Sequence, residues 1–338
     1  MHLWVYNVFM MKKLITIIFC CVFAAGLFAE KSITEEEVRN QAYRKIKDAS
    51  ADLESMMTAF VNGFSKAVAP NAVQHNVWAD AYIGKVFPSF PPHLGAGVSF
   101  MTSTMKIDGM NEIIDDAEMG AMGEFFKKMG FPLPSATGNL RVGGVFLPFD
   151  LGVSFMKYKN DDLFSTGMAF DYMTVGVDIR YAIMEQTLTR PDISVGFGWT
   201  KVAGNLSKGF SITDSSGVKI DGLVATGFDT NVYCFSGQIS KSLLGNVLTP
   251  YAGTRLAFQQ GTYGWNTDLE GKYTYNGVSA QIDYNNEYDN NINFGQKPVF
   301  QLYGGIGFRG LIFDTNLGVC FDFVSKSFGS NFSFRLVL

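Results

Sequence analysis

The stretch Asn331-Phe332-Ser333-Phe334-Arg335-Leu336-Val337-Leu338 alternates without a break. Successive side chains of an extended chain point to opposite faces. Phe332, Phe334, Leu336 and Leu338 therefore share one face, and Asn331, Ser333, Arg335 and Val337 the other. Just upstream, Phe313, Thr315, Leu317, Val319, Phe321 and Phe323 alternate with Asp314, Asn316, Gly318, Cys320 and Asp322. The same pattern holds from Phe149 to Phe155 and from Ile193 to Thr200. The second face is mostly Gly, Ser and Thr with sparse Arg and Asp, whereas a face washed by bulk water is usually rich in Lys and Glu. A soluble sandwich or lipocalin-like fold would also alternate. The composition of the polar face favours the lumen of a membrane barrel.

Working outward, ten strands are expected at 92–104, 138–147, 149–158, 166–183, 192–203, 229–240, 249–260, 298–309, 311–324 and 329–338. The three longest connections, 105–137, 204–228 and 261–297, fall on one side, as extracellular loops do. A further hairpin in 270–287 would raise the count to twelve. An even count puts both termini in the periplasm. The fold expected is all-β: an antiparallel transmembrane barrel of about ten strands over 92–338, preceded by a periplasmic or plug helix.

That helix is predicted over 31–69. Thr34 and Glu37 form a capping-box pattern. Val38, Ala42, Ile46, Leu53, Met57, Phe60 and Phe64 make one apolar stripe, which Pro70 ends. A second amphipathic segment, 110–129, lies inside the first long connection. Residues 30–91 thus form a helical segment and a Pro-containing link. Residues 1–29 read as upstream residues and a signal peptide: Lys12-Lys13, then apolar Leu14–Phe28, then Ala29. No other stretch approaches the ~18 apolar residues of a membrane helix. After export, a span must then be a closed barrel.

These features resemble an outer-membrane β-barrel of a diderm bacterium, carried by the signal peptide at 11–29 and the alternating strand 331–338. The resemblance implies outer-membrane lipid and the barrel-assembly machinery as partners, although such strands usually end in Phe and this one ends in Leu338. The helix, Tyr82-Ile83-Gly84, the Pro-rich link and the Gly-rich first strand are similar to barrel families of spirochaetes and Bacteroidetes. No function or site is implied by that similarity.

A net charge of −4 with no Lys/Arg cluster gives no footprint for nucleic acid. No catalytic residues, metal site or cofactor are expected. His75 and His93 read as polar link residues without acidic or Ser partners. Cys234 and Cys320 read as free lumenal residues on strands that are not neighbours. The candidate site is instead the set of lumen-lining charges: Arg141, Asp150, Asp178, Arg180, Arg255, Arg309, Asp314, Asp322 and Arg335. They can stiffen the wall as a salt-bridged ladder or form a charged constriction. Asp150 should lie near Arg180, and Asp314 near Arg309 and Arg335. Inward glycines such as Gly95, Gly307 and Gly318 leave space for water or for a plugging segment. Two functional readings follow: a passive channel or transporter for small or apolar solutes, gated or plugged by a helix, or an adhesin or structural barrel acting through long loops.

Overall fold

The computed structural model describes residues 34–75, 77–82, 93–106, 124, 127–144, 148–161, 168–213, 219–275 and 278–337. The signal-peptide reading and the segment 107–123 lie outside them. Helix α1 (Glu35–Ala72) opens on the expected capping box: Thr34 Oγ1 accepts from Glu37 N, and the Glu37 carboxylate accepts from Thr34 N. Pro70 does not end the helix, which runs to Ala72. In the last turn a proline removes one helical bond and leaves few later turns to disturb. No described helix is long and apolar enough to cross a membrane.

Among the described residues eleven strands follow: β1 (His93–Met105), β2 (Phe131–Gly143), β3 (Phe149–Asn160), β4 (Met168–Met184), β5 (Asp192–Thr213), β6 (Lys219–Ser240), β7 (Leu248–Tyr275), β8 (Val278–Ile292), β9 (Val299–Gly310), β10 (Phe313–Asp322) and β11 (Ser327–Val337). All pairings are antiparallel. β1 pairs with β11, and β6 with β7, so the sheet closes on itself. β8 does not add a stave. The lower part of β7, Leu248–Ala257, pairs with β9, while Gly261–Tyr275 pairs with β8. β8 therefore stands above β9 in line with it, and the ring has ten staves rather than twelve.

The expected long connections 204–228 and 261–297 are mostly strand. β5, β6, β7 and β8 continue past the rim as a four-stranded tongue. Its outer face explains why alternation of apolar residues failed to show it. Near the wall, outward positions are apolar: Leu256, Phe300 and Leu302 are exposed. Higher up they turn to Asn266, Glu270, Asp283, Glu287 and Asp289. The tongue thus projects out of the apolar belt into water.

β2 departs from expectation in another way. It begins at Phe131 and includes Pro132 and Pro134. Its ladder to β1 is continuous from Met105↔Phe131 to His93↔Gly143. Its ladder to β3 runs only from Gly138↔Phe155 to Gly143↔Asp150. Two residues apart, the prolines present one edge of the strand, and that edge lacks two N–H donors. With the β1 ladder intact, it is the edge facing β3. The wall is therefore unzipped between 131–137 of β2 and 156–160 of β3. The gap begins in the apolar belt, where Ala136 is level with Phe100, Phe332 and Leu317, and runs up to the belt's edge at Lys157 and Lys159.

The belt can be tested by contrast. Leu317→Arg, on the belt, should cost ~2–4 kcal/mol, and Asn266→Arg, on the tongue, within ~0.5 kcal/mol of nothing. Urea unfolding of the barrel in phospholipid vesicles measures both, and equal costs would remove the belt assignment.

Candidate functional site

The lumen is occupied by the chain's own N-terminal part. The first turns of α1 lie beyond the tongue-side rim, where Tyr43 OH donates to the Asp283 carbonyl. Deeper in, Trp265 Nε1 donates to Thr58 Oγ1 at 3.0 Å and Gln259 Nε2 to the Ser65 carbonyl at 3.1 Å. Val61, Val68 and Ala72 pack against Val202, Phe228 and Val299. Phe64 meets Phe228 with ring centres 4.8 Å apart. Val77–Tyr82 then lies within the barrel without regular structure. The chain's first described residue is thus at one mouth, while β1 and β11 start and end at the other. The helix is a plug, not a periplasmic appendage.

An irregular segment inside a barrel must have its carbonyls satisfied by side chains. The wall supplies them in sequence. The Val77 carbonyl accepts from Arg335 Nη2 and from Asn316 Nδ2. Those of Trp78 and Ala79 accept from Gln238 Nε2 at 2.8 and 3.0 Å. That of Asp80 accepts from Arg180 Nη1 at 2.8 Å, and Ser240 Oγ accepts from Ala81 N. Trp78 is buried, with the Arg335 guanidinium 4.2 Å from its ring. A side chain at Gly95 would collide with the Trp78 ring, and one at Gly307 with Ala79. Those inward glycines make room for the plug, not for water.

The nine candidate charges separate into two ion-pair groups and two residues with other roles. Arg141 Nη1 donates to Asp150 and Nη2 to Asp178; Asp150 also accepts from Arg180 Nε and Nη2 at 2.8 and 2.6 Å. Gly152 stands between Arg141 and Asp178 in the register, so the guanidinium can reach across β3. At the turn side, Arg309 pairs with Asp314 at 3.4 Å, and Arg335 lies 3.9 Å from it. Arg309 also donates to Asp80 of the plug. Arg255 lies 3.7 Å from the Tyr303 ring and donates to Gln301 at 3.1 Å. Asp322 instead caps the β10–β11 turn, accepting from Phe300 N and Ser325 N at 2.8 Å each.

Sequence reasoning missed Trp78, Asp80 and the inward glutamines. One signal was available. The inward strand charges hold five arginines against four aspartates, so one cation lacked an acid. Three glutamines at inward positions, Gln238, Gln259 and Gln301, are buried and bond the plug. His75, read as a polar link residue, is buried in the lumen with Nδ1 3.1 Å from Thr174 Oγ1. Cys234 and Cys320 are both free. In the β8–β9 connection Lys297 donates to Ser65 Oγ; burial first, and Lys66 second, push its amine below the ordinary range.

Beside this polar interior lies an apolar cavity of about 300 Å³. Val68, Ala72 and His75 bound it on the plug side, and Tyr172, Val202 and Phe228 on the wall side. A polar void of about 70 Å³ lies lower, near Arg180, Arg255 and Cys234.

No protein-family model matches the chain, and no curated protein matches it. Among solved structures it is similar to the translocator domain of autotransporter NalP from Neisseria meningitidis, at 10% identity over 74% of this chain and 88% of that one, with a TM-score of 0.33. It is also similar to a Pseudomonas aeruginosa FadL homologue, at 11% identity over 77% and 96%, TM-score 0.25. The Ralstonia pickettii toluene transporter TbuX matches at 9% over 73% and 88%, TM-score 0.24. At these values the likeness extends to barrel architecture alone.

Removing the carboxylate that two buried arginines share should be costly. Asp150→Ala is expected to destabilise the barrel by ~3–5 kcal/mol. Lys201→Ala, which breaks the half-exposed pair with Asp229, should cost no more than ~1 kcal/mol. Urea midpoints in vesicles compare the two, and an Asp150→Ala midpoint no lower than that of Lys201→Ala would refute the ranking.

Proposed function

We propose that this chain is an outer-membrane barrel that passes small apolar solutes while staying shut to bulk water and ions. One contrast carries the reading. The polar part of the lumen is filled by the plug and by the ion pairs of Arg141, Asp150, Asp178 and Arg180, whose guanidiniums and carboxylates serve each other. The roomier space, about 300 Å³, is lined almost wholly by apolar side chains. Ligand sites of this kind are concave and largely apolar, with a few polar groups that orient the guest. Here Asn71, Ser135 and His75 are those groups. A hydrated ion gains nothing in such a cavity and loses its water.

A second reading, binding of a surface ligand, finds support in the tongue. Its outer face carries Asn, Asp and Glu clear of the belt, with Tyr284 and Tyr288 packed behind, toward α1.

Two measurements on purified protein test the first reading. In planar bilayers the intact chain should conduct ions poorly, and a variant lacking residues 35–82 should open pores. In proteoliposomes the intact chain should speed uptake of a naphthalene-type fluorescent probe but not of sugars. Free ion conductance by the intact chain, or no acceleration of the probe, would sink the proposal.

A further inference from the structure

The apolar cavity and the unzipped seam are one feature. Phe100 is on the outer face of the barrel and half exposed. Pro134 is exposed, and Ala136 shares its outward register. Yet all three line the same cavity as Val68 and Ala72 of the plug, which are buried. A single cavity bounded by outward-facing wall residues and by lumenal plug residues crosses the wall. It does so where β2 and β3 are unpaired, through Leu133 and Ser135 on one side and Met156 and Tyr158 on the other.

We infer that the β2–β3 seam is a lateral port through which an uncharged ring compound exchanges between the bilayer and a binding cavity against the plug. The route deepens the transport reading above and rests on it for its use. The seam is built rather than accidental. Pro132 and Pro134 deprive the β2 edge of two donors. The plug also lies directly against β2 beside the gap: Asn71 Nδ2 donates to the Leu133 carbonyl at 2.9 Å, and Ser135 Oγ donates to Asn71 Oδ1. The plug thus holds β2 from the lumen side while the β2 and β3 edges stay unpaired.

The lining sets the ligand class. Six aromatic side chains surround the space: Phe64, Phe100, Tyr158, Phe170, Tyr172 and Phe228. Aromatic rings prefer other rings at offset or edge-on geometry over bare area burial. Among the described residues no Lys, Arg, Asp or Glu lines the cavity, and a charged guest would find no counter-ion among them. One- or two-ring hydrocarbons fit a space of about 300 Å³.

The test uses the full chain in proteoliposomes, with Cys20, Cys21, Cys234 and Cys320 all replaced by Ser to remove the native thiols and Ala72→Cys placing one on the plug. Two maleimides are compared, one carried on a bilayer-resident acyl chain and one charged and water-soluble. The port predicts at least tenfold faster labelling by the bilayer reagent, and slower labelling when naphthalene is present. Pro132→Val with Pro134→Val, which restores both donors, should slow the bilayer reagent by a similar factor while heat-modifiable gel mobility is retained. If that double variant does not fold, Ala136→Trp at the mouth replaces it. Equal labelling by both reagents, or no effect of closing the mouth, overturns the port. Bilayer labelling without probe uptake keeps the port and removes the transport reading. Probe uptake without bilayer labelling does the reverse.

Discussion

A peptide segment that crosses a barrel at membrane depth must find every hydrogen-bond partner within the protein. The ladder settles this for the strands and helical bonding for most of α1. The segment Val77–Asp80 has neither, and its four carbonyls depend on Arg335, Gln238 and Arg180. Much of the interior follows from that need. Gly95 and Gly307 yield space to Trp78 and Ala79. Asp80 takes Arg309, and Asp314 stands beside both Arg309 and Arg335. Wall and plug therefore form one network, and neither set of polar groups would be satisfied without the other.

The same plug has two faces of different chemistry. Toward Arg180, Gln238 and Arg309 it offers backbone and a carboxylate. Toward β2, β4 and β6 it offers Phe64, Val68 and Ala72. A barrel filled on the first side is poorly suited to water, and a cavity left on the second suits only guests that shed water readily. The division is set by which residues of one chain segment face which staves, not by any single gate.

Much of the wall was legible because a strand buried on one side writes its faces into a period of two. Asp314 opposite Arg309 and Arg335, and Asp150 opposite Arg180, follow from that period and the turns alone. The tongue was legible only in part, as the hairpin allowed in 270–287. Above the belt the alternation is inverted: Tyr263, Trp265, Leu269 and Ile282 face inward and Asn266, Glu270, Asp283 and Glu287 outward, the reverse of the lipid-facing pattern that marks the staves. β2 was read too short because Pro132 and Pro134 argue against a strand, which holds for paired edges but not for an edge left open. Trp78 and Asp80 sit in a link with no periodicity at all. Their partners are fixed only by which part of the wall the link crosses.

The position of α1 also constrains how the molecule comes together. Its first turn lies beyond one mouth, and β1 begins at the other. A helix is ~10 Å across with its side chains, and the lumen it occupies is lined by residues packed against it. Passing it end-on through a finished ring would require breaking those contacts in turn. A sheet that curls around a helix already lying against it requires none of this. The β1–β11 seam joins the first stave to the last, and pairing it encloses the plug.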